Sequence, residues 1–106
     1  MYARLARYEV PADRTGEVVR GFEEAADELQ ALDGFEEGYV LVDDESGLAV
    51  TLVLWNTRAA LEASAARSAV LRQRVIKSVE GSVVGVNEFE VALAFGDGKE
   101  QAPFQG

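Results

Sequence analysis

Residues 37–57 read EGYVLVDDESGLAVTLVLWNT. Two runs rich in aliphatic residues flank DDESG, whose acidic and small side chains suit a solvated turn. The stretch therefore reads as a hairpin of EGYVLVD (37–43) and LAVTLVLW (48–55). Asn56 and Thr57 follow at once, and either can cap a helix by accepting a hydrogen bond from a backbone N–H two or three residues on. A hairpin that runs straight into a helix, in a chain of 106 residues, suits one mixed α and β domain.

Working outward, YARLARYEV (2–10) predicts a strand that Pro11 ends. From about Asp13 to Leu32 the apolar residues Val18, Phe22, Ala25, Leu29 and Leu32 recur at helical spacing on one face. Asp33-Gly34 supplies the stop. After the hairpin a second helix is predicted to about Val79, broken near Ala66-Arg67-Ser68, with Leu61, Ala65, Leu71 and Val75 on its buried side. Gly81 is read as its end. A last strand is placed at Val86–Phe95, where Phe89, Val91, Leu93 and Phe95 alternate to one face. Residues 1–95 thus form the domain, and 96–106, GDGKEQAPFQG, read as a loose tail with little but Phe104 to pack.

The order β-α-β-β-α-β defines an α+β, ferredoxin-like domain: a four-stranded antiparallel sheet with two helices on one face. The third strand adds a constraint. One of its faces carries Leu48, Val50, Leu52 and Leu54, and the other Ala49, Thr51, Val53 and Trp55. Two helices cover only one side of a sheet, and a strand with one wet face alternates with polar residues. The simplest cover for the second apolar face is another copy of the same sheet, so a homodimer is expected.

Composition removes several classes of chemistry. With no cysteine and no histidine, the chain has no thiolate nucleophile, no Ser-His-Asp triad and no imidazole for zinc or haem. Ser64, Ser68, Ser78 and Ser82 have no base to activate them. The net charge of −9 opposes nucleic-acid binding, and thirteen of the nineteen acids fall in residues 1–50 beside four bases. Asp43, Asp44 and Glu45 read as a solvated turn rather than a calcium site. No apolar run nears the roughly 20 residues that span a bilayer, and the N-terminus lacks a signal-peptide pattern, so a cytoplasmic protein is expected.

The stretch LDGFEEGYVLVDDESGLAVTLVLWNTRAALEAS (32–64) resembles the antibiotic biosynthesis monooxygenase-like group of dimeric α/β-barrel proteins. The resembling features are Gly34-Phe35 after the first helix, the hairpin, Trp55 at the end of the third strand and the cap at Asn56-Thr57. The likeness spans about residues 1–95 and implies a homodimeric barrel. It also implies kinship with cofactor-independent oxygenases of aromatic polyketides, haem degraders and quinol oxygenases. The haem degraders pair the strand-end Trp with a histidine and a first-strand asparagine, both missing here. In the polyketide oxygenases an asparagine often precedes the Trp by four residues and a tyrosine follows it by six. This chain has Thr51 and Leu61 at those positions.

The resemblance and the residue types together select Trp55, Phe22, Tyr39, Arg4 and Arg72 as candidate ligand-pocket residues. Trp55 would be a wall or ordinary core, and Arg4 or Arg72 would balance an anion. Against this, Arg4 and Arg7 also suit ion pairs with Glu88 and Glu90 across the sheet, and Tyr2, Tyr8 and Tyr39 suit packing. Arg67, Arg72, Arg74 and Lys77 suit a solvated helix face. The expected function is a monooxygenase-like protein for a small aromatic or quinol-type molecule, with no cofactor; the alternative is a non-catalytic dimeric module that binds a small ligand or assembles.

Overall fold

The structure is a computed structural model and describes residues 1–96. The expected tail at 96–106 therefore lies, Gly96 apart, outside the described residues. Strand β1 spans Tyr2–Glu9, and a 3₁₀ turn at Ala12–Arg14 leads into helix α1, Thr15–Gln30. Strands β2 (Phe35–Asp43) and β3 (Leu48–Trp55) form the hairpin. The second helix is split into α2 (Arg58–Ala63) and α3 (Ala65–Ser78), and β4 is Ser82–Glu90. The four antiparallel strands lie in the order β2-β3-β1-β4, the ferredoxin-like arrangement. No described helix is long and apolar enough to cross a membrane.

One core joins the sheet to both long helices. Ala6, Tyr8, Val10 and Ala49 meet Val18, Phe22 and Ala25 of α1 and Leu71, Val75, Ile76 and Val79 of α3. Paired residues share a face, so the register assigns the opposite face to Leu5, Leu48, Val50, Leu52, Tyr39, Leu41 and Phe89. On that uncovered face Leu41 is 52% and Phe89 53% exposed.

Three boundaries differ from expectation. The last strand begins at Ser82, four residues early, and stops at Glu90. Its final ladder bond joins the Val91 N–H to the Met1 carbonyl, so Leu93 and Phe95 have no neighbouring strand among the described residues and stay exposed. The helix break falls at Ser64 rather than at 66–68, because Ser64 is tied down from below by Arg4. The end of α3 is built on Glu80, not Gly81. Glu80 takes φ 61°, its N–H bonds to the Lys77 carbonyl and the Gly81 N–H bonds to Ile76, a Schellman closure with Gly81 one place further on. Gly81 is needed there for space, since a Cβ would lie 2.7 Å from Val10 Cγ1.

The helix cap is as the sequence suggested: the Thr57 hydroxyl accepts from the Ala60 N–H at 3.0 Å. Gly34 (φ 81°) closes the α1–β2 turn, and its carbonyl accepts from the Asn56 N–H at 2.8 Å. A Cβ at Gly34 would collide with Ala60 and with the Asn56 side chain, so this turn and the β3–α2 junction meet backbone to backbone.

Candidate functional site

A cavity of about 600 Å³ opens between the sheet and the two helices α1 and α3. Its walls are mainly apolar: Phe22, Leu29, Phe35, Val40, Val53 and Leu71. Helix α1 supplies Phe22 because its position places it on the helical stripe that faces the sheet. The β2–β3 hairpin supplies Val40 and Val53. Apolar walls broken by a few polar groups are the usual make-up of a small-molecule site.

The floor is polar in one place. Tyr8 is wholly buried, and its hydroxyl lies 2.6 Å from Thr51 Oγ1. The Phe22 ring stacks on Tyr8, centroids 5.8 Å apart and planes at 28°. Burial pushes the Tyr8 phenol above its ordinary pKa, while the Thr51 hydrogen bond and the Arg72 charge pull it back. Tyr8 is therefore a neutral phenol at physiological pH.

The two candidate cations differ in kind. Arg4 is 4% exposed and every N–H it owns has an acceptor. Nε and Nη2 donate to Glu88 Oε2, Nη1 to the Ser64 and Ser68 hydroxyls, and Nη2 also to the Leu61 carbonyl. It borders the cavity but is spent on holding β4 and the α2–α3 break to β1. Arg72, half-buried on α3, also borders the cavity and forms no ion pair among the described residues. Its neighbours Arg67 and Arg74 both pair with Glu28 of α1, at 3.6 and 3.3 Å. The basic run on α3 is thus two surface ion-pair partners, Arg67 and Arg74, one cavity cation, Arg72, and an exposed Lys77, not a uniform solvated face.

Four of the five residues singled out by sequence border the cavity: Phe22, Tyr39, Arg4 and Arg72. Tyr39 belongs to the edge strand β2 beside the cavity, but by register its side chain is on the opposite, uncovered sheet face, where its hydroxyl donates to the Glu37 carboxylate. Trp55 is the correction. It has no exposed surface and does not line the cavity; Phe35, which does, meets it edge-on with centroids 5.8 Å apart. The indole backs the wall, and its Nε1–H has no acceptor among the described residues.

Sequence reasoning passed over Tyr8 and Thr51 as site residues. A signal existed: Thr51 is the one hydroxyl on a strand face otherwise made of Ala49, Val53 and Trp55, and a buried hydroxyl requires a partner. The partner is one residue pair away on β1, where Ala6 is opposite Thr51 and Tyr8 opposite Ala49.

A ferredoxin-like sheet with a cavity under its helices defines a small α+β domain with room for a small molecule. The chain belongs to the antibiotic biosynthesis monooxygenase family, whose profile it matches over residues 1–74. No curated protein matches it in sequence. Its fold is shared by SnoaB, a cofactor-independent oxygenase from Streptomyces nogalater, at 15% identity and a TM-score of 0.68 over 88% of this chain and 94% of that one. It is shared too by the Mycobacterium tuberculosis haem degrader MhuD, solved with two haems in its active site, at 23% identity and 0.67 over 91% and 100%. A Deinococcus radiodurans protein described as a candidate antibiotic biosynthesis monooxygenase gives 14% identity and 0.71 over 91% and 97%.

The cavity's donor set does not fit haem. The chain has no imidazole or thiolate, and the Tyr8 oxygen is engaged by Thr51 and held protonated by burial.

Proposed function

We propose that the protein is a monooxygenase-like enzyme that uses no cofactor and acts on a small aromatic or quinol-type molecule held in the cavity between the sheet and helices α1 and α3. The observation that supports this best is Arg72, a guanidinium without an ion-pair partner among the described residues, set into a mainly apolar cavity of about 600 Å³. A planar phenol or anthrone between Phe22 and Phe35 would be stripped of water, and Arg72 would favour its anion.

The substrate supplies the electrons. The carbanion form of an anthrone methylene donates to dioxygen and a carbon–oxygen bond forms. The O–O bond then breaks, one oxygen stays as the new ketone, and the other leaves as water with the two methylene hydrogens. We also propose that the uncovered sheet face pairs with a second copy, as its row of exposed aliphatic residues suits.

Oxygen uptake with a panel of anthrones and naphthohydroquinones tests the reading, with product masses recorded. Uptake above the uncatalysed rate and a gain of one oxygen with loss of two hydrogens support it. Tight binding without uptake favours the second reading, a non-catalytic ligand-binding module.

A further inference from the structure

We infer that Tyr8 positions the Thr51 hydroxyl to donate a hydrogen bond into the cavity, so that the floor selects aromatic ligands carrying an oxygen acceptor over plain hydrocarbons. The inference rests on the reading that the cavity takes an aromatic molecule and deepens it to a ligand class.

The direction of the Tyr8–Thr51 hydrogen bond carries the argument. In isolation either hydroxyl could donate across the 2.6 Å contact. If Thr51 donated, the Tyr8 O–H would point elsewhere, yet among the described residues no other acceptor is bonded to it and its side chain has no exposed surface. An orphan buried donor costs about 1–3 kcal/mol. With Tyr8 donating, its proton is satisfied, and the Thr51 proton is free to turn elsewhere.

Thr51 can use it, because it is 9% exposed where Tyr8 is fully closed, and it borders the cavity. The Tyr8 ring cannot swing away, since Phe22 is stacked against it. Arg72 borders the same cavity, so an oxygen placed there meets a neutral donor and a cation together. Such a pair suits a ketone or phenolate oxygen and leaves a methyl group unrewarded. Thr51 is the donor to the ligand in this account; Tyr8 also borders the cavity, but its proton is held by Thr51.

Fluorescence titration of the purified protein with 2-naphthol and with 2-methylnaphthalene tests this without requiring turnover. The quantity read is the ratio of the two dissociation constants. Thr51→Val is expected to lower the preference for naphthol by roughly three- to tenfold. Thr51→Ser should keep it, and Tyr8→Phe, which retains the stacked ring, should shift it the same way as Thr51→Val. The double variant should match Thr51→Val alone, because the one hydroxyl proton of Tyr8 is spent on Thr51 and offers the ligand no donor of its own. An unchanged ratio in Thr51→Val or in Tyr8→Phe overturns the inference while leaving the aromatic cavity standing. Failure of both probes to bind the wild type overturns the aromatic reading and this inference together.

Discussion

Phe35 meets Trp55 edge-on with ring centroids 5.8 Å apart, and Phe35 borders the cavity while Trp55 is wholly enclosed. The tryptophan supports the wall rather than forming it. Trp55→Ala should therefore lower stability by about 3–5 kcal/mol in urea unfolding, the range for emptying a large aromatic site. Trp55→Phe should cost much less, since it keeps a ring against Phe35 and removes an indole N–H that has no acceptor among the described residues.

Glu88 carries more stability than its exposure suggests. Its side chain is 43% exposed, yet it is the counter-charge to a guanidinium that is 5% exposed. Glu88→Ala strands that charge, and a loss of about 2–4 kcal/mol is expected, against the few tenths usual for a surface change. Urea unfolding beside Glu62→Ala, an exposed α2 residue, provides the comparison.

Much of the fold was legible in the sequence, and where it was not the missing information was long-range. Strand β3 was placed to the residue because a charged turn precedes it and a capping pair follows. The last strand was placed four residues late, because Ser82-Val83-Val84-Gly85 is a weak strand pattern. It becomes a strand by pairing with β1 through a bulge near Arg7 and Tyr8. The alternation of Phe89, Val91, Leu93 and Phe95 was a stronger local signal, but it outruns its partner strand. At the cavity, residue type singles out Phe22 and Arg72, which both border it. No local pattern could divide Arg4 from Arg72: one guanidinium is consumed by two serines, a carbonyl and a glutamate from three other elements, and the other is not.

Tyr8 should give the protein an alkaline weak point. Below its ordinary pKa of 10.0 both folded and unfolded chains hold the phenol proton, and the contribution to stability is constant. Above that pH the unfolded chain releases the proton while the folded one, its pKa raised by burial, retains it. Stability therefore falls as pH rises from 10 through the folded value. Tyr8→Phe should flatten this part of a stability–pH curve measured by urea unfolding. Tyr39 is shifted upward as well, chiefly by its hydrogen bond to Glu37, but it lies exposed on the uncovered sheet face and its contribution is screened.

The uncovered sheet face gives a prediction about assembly. Wild type should sediment as a dimer at micromolar concentration, and Leu41→Glu, on the edge strand β2 of that face, should sediment as a folded monomer. Leu41 is already 52% exposed in the single chain, so the change should leave the monomer's own stability nearly unaltered. A wild type that sediments as a monomer at every concentration would contradict the proposed pairing.

The most direct test of the account is oxygen uptake on an anthrone substrate by wild type, Arg72→Met and Trp55→Phe, each verified as folded. The account places the anion-stabilising charge on Arg72 and only a supporting role on Trp55. It predicts that Arg72→Met loses at least about tenfold in kcat/KM, equivalent to roughly 1.4 kcal/mol of transition-state stabilisation, while Trp55→Phe stays within about threefold of wild type. Full activity in Arg72→Met, with activity lost in a folded Trp55→Phe, would contradict it.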